Sequence, residues 1–380
     1  MKRLIAALGS VVLLAACGGT GSAPTSSQPA AAGQSAAGTV SSTAAAASAK
    51  PAAGSSSAES KPAAASAKPA ASTAAAASGA KTVEVGTFPQ AYINWPILAA
   101  DKQGFFAAQG IKVDTKEIPQ SSTLLQGLTT GQLNVVMTTP DTSMITVNSG
   151  APVIYIAVNQ KPTTIDLVVT SKINSFADLK GKTLGVGQRD STYALLAERM
   201  LLANGLKSSD YQFFSVASEP DRYASMQSGK LDGAFVGPPR NFQAVTDGFH
   251  SLGLVAQYLQ HDEFNGFVVN TPWATQNRST VVGFLRAVSQ ADKWLADPAN
   301  RDSAIDQFQG YVKLDRGLAV QSYDLMITKL HAFPPDMKID PAAHQEWIDS
   351  FVERGVFTKP APPLSKFIDE SYLQEALNAK

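Results

Sequence analysis

The chain has 380 residues, and its 31 Lys and Arg balance 31 Asp and Glu, so the formal net charge is zero. Nothing in this balance suggests binding to nucleic acid or to an anionic membrane surface through charge alone. The single cysteine excludes an intrachain disulfide framework and a cysteine-rich metal site.

The N-terminus has the pattern of an export signal. Basic residues precede an apolar run over residues 4–16, which is too short to span a bilayer and has the length of a signal-peptide core. The run ends in Leu14-Ala15-Ala16-Cys17, which resembles a bacterial lipobox; the alternative is an ordinary signal peptide with a chance cysteine. We therefore predict a lipoprotein signal peptide over residues 1–16 and lipidation at Cys17, an anchor that needs no transmembrane helix.

Residues 17–80 are predicted to form a disordered tether. They are almost all Ala, Ser, Gly, Thr and Pro, and a Lys-Pro-Ala-Ala unit begins at Lys50, Lys61 and Lys68. Leu, Ile, Phe and Met are absent, so no apolar core can form to offset the chain entropy. A coil of this length has a typical end-to-end distance of roughly 40–50 Å.

From Lys81 onward, short apolar runs alternate with amphipathic stretches. This alternation predicts an α/β sheet covered by helices. The predicted strands lie around residues 83–85, 111–113, 135–136 and 153–156, and the predicted helices span residues 95–108, 122–130 and 142–149.

An internal repeat divides this region into two halves. Residues 128–134 (LTTGQLN) are matched 98 positions later by residues 226–232 (MQSGKLD), and Pro140 falls on Pro238 at the same offset. Each copy predicts a helix that ends at a glycine, then an inward-facing leucine, then a strand. Earlier in each half, Val83-Glu84-Val85-Gly86 aligns with Leu184-Gly185-Val186-Gly187. The repeat indicates two α/β lobes of related design.

The chain is expected to cross between the two lobes twice. We predict residues 81–165 with 266–380 as lobe 1 and residues 166–265 as lobe 2. Ligands of open α/β sheets bind at the carboxyl ends of the strands, so two facing lobes would share one cleft. The helical tail from Arg278 is expected to pack on lobe 1, with a buried face formed by Phe284, Val288, Ala291 and Leu295.

Several of these segments resemble a known family. Residues 102–106 (KQGFF) with 110–113 (GIKV), residues 128–134 and residues 176–182 (FADLKGK) resemble periplasmic binding proteins for alkanesulfonates, taurine, nitrate and thiamine-pyrimidine precursors. The resemblance covers residues 82–270 and, more weakly, the tail. It implies a two-lobed type II periplasmic-binding-protein fold with a ligand cleft between the lobes, and an ABC permease with its ATPase as partners.

The resemblance also sets the expected function. We predict a monomeric, lipid-anchored, extracytoplasmic solute-binding protein that delivers a small sulfonate, carboxylate or pyrimidine-like molecule to an ABC importer, without enzymatic activity, cofactor or metal. One alternative is a solute-sensing lipoprotein with a signalling or non-ABC partner. Another is a pyrimidine-synthase-like enzyme, although the cysteine-rich signature of that enzyme has no counterpart after Cys17. The family differs from this chain at residues 188–192 and 237–240, so no ligand can be transferred from a relative.

The candidate ligand contacts in lobe 1 lie in loops that follow the predicted strands. Aromatic rings there suit stacking or apolar walls, although Trp95 could instead pack in the core. Hydroxyl and N–H groups at a helix start can hold an anionic oxygen, or simply cap the helix. The candidates are Phe88, Tyr92, Asn94, Trp95, Ser121, Ser122, Thr139, Asp141 and Thr142.

The candidates in lobe 2 lie before two predicted helices. The guanidinium of Arg189 at a helix start would suit a sulfonate, carboxylate or phosphate, and the alternative is a surface pair with Asp190. Arg240 presents the same choice. The candidates are Gln188, Arg189, Ser191, Thr192, Gly237, Pro238 and Arg240.

Overall fold

A computed structural model of the protein describes residues 79–188, 192–259 and 261–378. The predicted signal peptide, Cys17 and all but the last two residues of the predicted tether lie outside these ranges. The strands in the described part are β1 (Lys81–Thr87), β2 (Ile111–Glu117), β3 (Val135–Thr138), β4 (Val153–Gln160), β5 (Asp166–Val169), β6 (Lys182–Val186), β7 (Tyr211–Ser215), β8 (Gly233–Val236), β9 (His250–Leu254) and β10 (Asn265–Asn270).

Helices connect and cover these strands. The α-helices are α1 (Trp95–Lys102), α2 (Phe105–Ala108), α3 (Ser121–Thr129), α4 (Pro140–Asn148), α5 (Thr192–Ala203), α6 (Glu219–Gln227), α7 (Arg240–Thr246), α8 (Thr271–Gln276), α9 (Arg278–Ala296), α10 (Arg301–Val312), α11 (Arg316–Tyr323), α12 (Pro341–Glu353) and α13 (Ser371–Asn378). Short 3-10 helices span Tyr92–Asn94, Phe176–Leu179, Val255–Tyr258, Pro298–Asn300 and Leu364–Lys366, and a π-helix spans Asp324–Lys329. Within the described part of the chain, no helix is both long enough and apolar enough to cross a membrane.

The strands form two five-stranded sheets with the same layout. The first has the order β2-β1-β3-β10-β4, and the second has the order β7-β6-β8-β5-β9. In each sheet the three strands at one side are parallel, and the fourth strand runs antiparallel to its neighbour. We call the first sheet with its helices lobe 1 and the second sheet with its helices lobe 2. The predicted two-lobed α/β fold is confirmed.

The chain crosses between the lobes twice. One crossover joins β4 to β5, and the other joins β9 to β10. They lie side by side, because the Thr163 amide donates to Asp262 Oδ2 at 2.8 Å and the Phe264 amide donates to the Gln160 carbonyl at 3.0 Å. Asn265, assigned to lobe 2 from the sequence, pairs with Gln160 in the first sheet, so β10 starts one residue earlier than predicted.

The internal repeat is visible as a shared hydrogen-bonded connection. Asn134 Oδ1 accepts from the Glu84 amide at 2.8 Å, and Asp232 Oδ2 accepts from the Thr183 amide at 2.9 Å. The glycine that ends the preceding helix is left-handed in both copies, with φ of 77° at Gly131. Both lobes therefore use the same device to carry the chain from helix to strand.

One part of the predicted alignment is wrong by two residues. Val85 pairs with Val135, and Leu184 pairs with Gly233. Because Val135 and Gly233 are 98 positions apart, Gly86 corresponds to Gly185, not to Gly187. A slip of two residues leaves every strand side chain on the same face, so the apolar pattern could not detect it.

The helical tail packs on lobe 1. The four residues predicted to face the core from α9 (Phe284, Val288, Ala291 and Leu295) are fully buried. The helix predicted over residues 95–108 is divided into α1 and α2, because Gly104 adopts φ of 75° and so ends the first helix. Trp95 at the start of α1 lies in the core of this lobe.

Candidate functional site

A cavity of about 100 Å³ lies between the two lobes, near the ends of the parallel strands. Its walls come from both lobes and from the second crossover. This volume suits a small ion or a compact organic molecule. The lining comprises residues 88–93, Pro119, Ser121, Thr138, Thr139, Thr142, Gly187, Gln188, Thr192, Tyr193, residues 217–220, Arg222, residues 238–240, Phe264 and Asn265.

Helix starts surround this cavity. α3 begins at Ser121 and α4 begins directly after Thr139, and both residues line the cavity. The residues before the two helices, Gln120 and Thr139, make no side-chain hydrogen bond to the first turn. At α4, however, the buried Asp141 carboxyl accepts from the Thr142 amide. The N–H groups at the start of α3, at the positive end of the helix dipole, therefore favour an anionic group in the cavity.

The structure brings nine of the predicted contact residues to the cavity wall. Five of them come from lobe 1 and four from lobe 2. Their contact with a ligand stays a prediction. The nine are Phe88, Tyr92, Ser121, Thr139, Thr142, Gln188, Thr192, Pro238 and Arg240.

Two predicted aromatic-loop contacts lie elsewhere. Trp95 is fully buried and stacks on Phe308, with ring centroids 4.1 Å apart, so the core-packing alternative is the correct one. Asn94 is also buried, and its Nδ2 donates to the Phe88 carbonyl at 2.9 Å, which fixes the loop after β1. Ser122 is exposed on α3 and does not line the cavity, because the helix turns its side chain away from Ser121.

Two further predicted contacts join the lobes to each other. Asp141 is fully buried and accepts a hydrogen bond from the Thr192 hydroxyl across the cleft. Desolvation raises the pKa of this carboxyl above its ordinary value, and the Thr192 hydrogen bond opposes that rise. Gly237 lies against Tyr92, and an added Cβ there would be 2.2 Å from Tyr92 Cε1. Arg189 and Ser191 lie outside the described residues.

The sequence prediction missed a carboxylate in the cavity wall. Glu219 Oε1 accepts from the Tyr193 hydroxyl at 2.5 Å, and Glu219 Oε2 accepts from the Gly237 amide at 3.2 Å. The repeat could have revealed it, because the offset of 98 places Glu219 at the position of Ser121. Since Ser121 was predicted as a ligand contact, the repeat makes Glu219 the equivalent candidate in lobe 2.

Arg222 forms an ion pair with this carboxylate. Its guanidinium is buried, with Nη2 at 3.7 Å from Glu219 Oε1. The other donors are occupied, since Nε donates to the Phe235 carbonyl at 3.0 Å and Nη1 donates to the Val216 carbonyl at 2.8 Å. Arg222 thus belongs to the wall behind Glu219 rather than to the ligand.

Arg240 is the second cation of the wall. Its Nη1 donates to Gln243 Oε1 at 2.7 Å, and its Nη2 reaches Gln90 Oε1 of lobe 1 at only 3.4 Å. Desolvation lowers the pKa of this guanidinium from its ordinary value, and the charge of Glu219 opposes that change. A guanidinium stays charged in proteins, so an anion beside Arg240 would gain a charge-assisted hydrogen bond.

The chain is similar to solute-binding proteins and to an enzyme. It is 26% identical over 232 residues to the nitrate/nitrite binding protein NrtA of Nostoc sp., covering 54% of this chain and 52% of the relative. The alkanesulfonate-binding protein SsuA of Xanthomonas axonopodis pv. citri, solved with MOPS, matches with a TM-score of 0.63, 20% identity and coverage of 76% and 98%. The desulfurization enzyme DszB matches with a TM-score of 0.60, 16% identity and coverage of 78% and 99%.

These similarities differ in what they establish. The two solved structures share the fold at low identity. The chain spans between about a third and about half of the length of the curated relatives it matches. A family model described as NMT1/THI5 like matches residues 94–300, which is more than half of the chain. The chain therefore belongs to the NMT1/THI5-like family.

Proposed function

We propose that the protein is an extracytoplasmic solute-binding lipoprotein that captures a small sulfonate, carboxylate or pyrimidine-like molecule and delivers it to an ABC importer. The observation that carries this proposal is the cavity, whose walls come from two lobes joined by two adjacent crossovers. The names of NrtA and SsuA support the same class of function.

The mechanism follows from the position of the cavity. Small φ/ψ changes at the two crossovers would let the lobes open and close about the ligand. A ligand that contacts both walls binds the closed state better than the open state, so it shifts the population toward closure. The N–H groups at the start of α3 and the guanidinium of Arg240 favour an anionic group on that ligand.

Two other functions compete with this proposal. DszB shows that the fold also serves an enzyme. None of the described residues that line the cavity is a cysteine or a histidine, so those residues supply neither a thiol nucleophile nor an imidazole base. A solute sensor would have the same cavity, so only the partner distinguishes sensing from import.

Recovery of the bound molecule tests the capture step. The protein purified from its own host should carry a small molecule that native mass spectrometry detects and that calorimetry shows to rebind. The loaded protein should then stimulate the ATPase of a permease encoded beside it. Rebinding without stimulation would favour the sensor, and failure to bind any small molecule from the host extract would contradict solute capture.

The lipid anchor has an independent test. Metabolic labelling with a radioactive or alkyne-bearing fatty acid should mark the wild-type protein but not Cys17→Ser, because the lipobox cysteine is the acceptor. Equal labelling of both proteins would contradict the anchor and leave solute capture unaffected.

A further inference from the structure

Three buried polar atoms at the lobe 1 side of the cavity have no hydrogen-bond partner: Tyr92 Oη, Thr138 Oγ1 and Asn265 Nδ2. Each of the three residues is 1% exposed. Tyr92 lies in the loop after β1, and the other two lie at strand ends. Thr138 ends β3, and the next residue along β10 from Asn265 pairs with it, so the two side chains belong to neighbouring strand ends. A buried polar atom without a partner costs free energy, which indicates that something else binds here.

A hydrogen-bonded chain fixes which end of the Asn265 amide faces the cavity. Asn159 Nδ2 donates to the Ile93 carbonyl at 3.0 Å, so its orientation is set by an atom that can only accept. The same Nδ2 donates to Asn265 Oδ1 at 3.0 Å. Rotating the Asn265 amide would bring two NH2 groups together. Asn265 Nδ2 is therefore the atom left for the cavity, and it can only donate.

The lobe 2 side of the cavity has the opposite character. The carboxylate of Glu219 can only accept, and the buried guanidinium of Arg222 lies 3.7 Å from it. The Glu219 side chain keeps 17% exposure. The Tyr193 hydroxyl and the Gly237 amide use two of the roughly four acceptor positions of a carboxylate. The Glu219 carboxylate can therefore accept a further hydrogen bond from a donor in the cavity.

We infer that the cavity selects a two-ended ligand, with carboxylate or sulfonate oxygens against Asn265 and Thr138 and an amino or amidine N–H group against Glu219. This inference rests on the proposed solute-binding function and narrows it. If the ligand carried only acceptor atoms, one of them would face the Glu219 carboxylate, and two acceptors cannot form a hydrogen bond with each other. Asn265 and Glu219 thereby determine specificity from opposite lobes, and a ligand that satisfies both holds the lobes together.

Matched pairs of probes separate the two ends. We would titrate the full chain with β-alanine and propionate, 3-aminopropanesulfonate and propanesulfonate, and 4-aminobenzoate and benzoate, using calorimetry. The amino member of at least one pair should bind about tenfold or more tightly than its partner, which corresponds to one charge-assisted hydrogen bond. The molecule recovered by native mass spectrometry should contain both an oxyanion and an N–H group.

Two isosteric variants assign the ends to residues. Glu219→Gln should bring the two members of that pair to within about threefold of each other. Asn265→Asp keeps an acceptor for Asn159 but presents an oxygen to the cavity, so it should weaken the anionic probes about tenfold or more. Glu198→Gln is the matched control, because it removes a lobe 2 carboxylate that faces lobe 1 at Arg354, outside the cavity.

The ratio within each pair distinguishes selection from folding. A variant that merely disturbs the structure would weaken both members equally and lower the melting temperature. Equal binding of both members of every pair to the wild type, or a recovered ligand without an N–H group, would overturn the inference and leave solute capture intact. If no probe binds and no molecule is recovered, the inference is overturned together with the proposed function.

Discussion

The two lobes share a scaffold but present different chemistry to the cleft. In each, a leucine covers a strand glycine: an added Cβ would lie 2.6 Å from Leu133 Cδ1 at Gly86 and 2.6 Å from Leu231 Cδ1 at Gly185. At the cavity both lobes offer hydroxyl and amide side chains, but among the described lining residues the carboxylate and the guanidiniums all come from lobe 2. The repeat thus preserves the residues that build the sheet and varies those at the strand ends.

This difference indicates where sequence similarity carries function. Scaffold positions such as Asn134 and Asp232 satisfy backbone amides, and that requirement is the same for any ligand. Positions such as Ser121 and Glu219 occupy the same place in the repeat but bring a hydroxyl and a carboxylate. A match to the scaffold therefore establishes the family, and the ligand must be inferred from the strand ends.

The largest effects should come from breaking the shared scaffold. Leu133→Ala and Leu231→Ala should each lower the free energy of unfolding by about 2–5 kcal/mol, because each leaves a cavity above a strand glycine. Urea denaturation followed by circular dichroism measures both losses. Leu202→Ala is the control: this leucine is 66% exposed, and we expect a change within about 0.5 kcal/mol. A large loss for only one of the two variants would show that the two leucines share a position in the fold but not a contribution to stability.

A smaller effect is expected where the lobes meet. Gly237→Ala would place a methyl group against the buried ring of Tyr92, so it should oppose closure at a cost of about 1–3 kcal/mol. Ligand affinity should fall roughly 5- to 150-fold, and small-angle scattering with ligand should show a more open molecule. Gly310→Ala, where an added Cβ meets nothing within 4 Å, should leave both measurements unchanged. Unchanged affinity in Gly237→Ala would contradict closure at this contact.

Much of the fold was predictable because it depends on periodic patterns. The alternation of strands and helices, the two related halves and the buried face of α9 are confirmed. The site was only partly predictable. Trp95 and Ser122 were predicted as contacts because they lie close to a strand-end loop. Which way each side chain points depends on how its helix packs. Trp95 packs against Phe308, which lies more than two hundred residues away in the sequence. The orientation of Asn265 depends on Asn159 and on the carbonyl of Ile93, which no local pattern contains.

Buried carboxylates give a further contrast between the lobes. Asp292 in lobe 1 has no hydrogen-bond partner for either oxygen, and burial raises its pKa well above the usual range. Burial also raises the pKa of Asp166 in lobe 2, but Ser251 Oγ donates to it at 2.7 Å and Asn241 Nδ2 at 3.3 Å. Ionised Asp292 is therefore destabilising, because nothing compensates its buried charge, whereas Asp166 belongs to a hydrogen-bond network.

These two groups should respond oppositely to amide substitution. The raised folded pKa of Asp292 means that the wild type loses stability as the pH rises above about 3.9, the unfolded value. Asp292→Asn should therefore match the wild type near that pH and exceed it by about 1–2 kcal/mol at neutral pH. Asp166→Asn should not stabilise, because its NH2 group would oppose a donor. Melting temperatures from pH 4 to pH 8 measure both, and an advantage of Asp292→Asn that does not grow with pH would contradict the explanation.

The smallest effect is expected at the exposed rim, where lobe 2 also contacts lobe 1. Glu198 Oε2 lies 3.6 Å from Arg354 Nη2, with the two side chains 38% and 50% exposed. An exposed ion pair gains little, because water and salt screen it and both side chains lose rotamer freedom. Arg354→Ala should therefore change ligand affinity by less than about threefold at 0.15 M salt and less still at 1 M. Calorimetry at the two salt concentrations decides whether closure depends on the cavity contacts, as their burial implies, or on the rim. A salt-dependent loss as large as that of Gly237→Ala would assign closure to the rim instead.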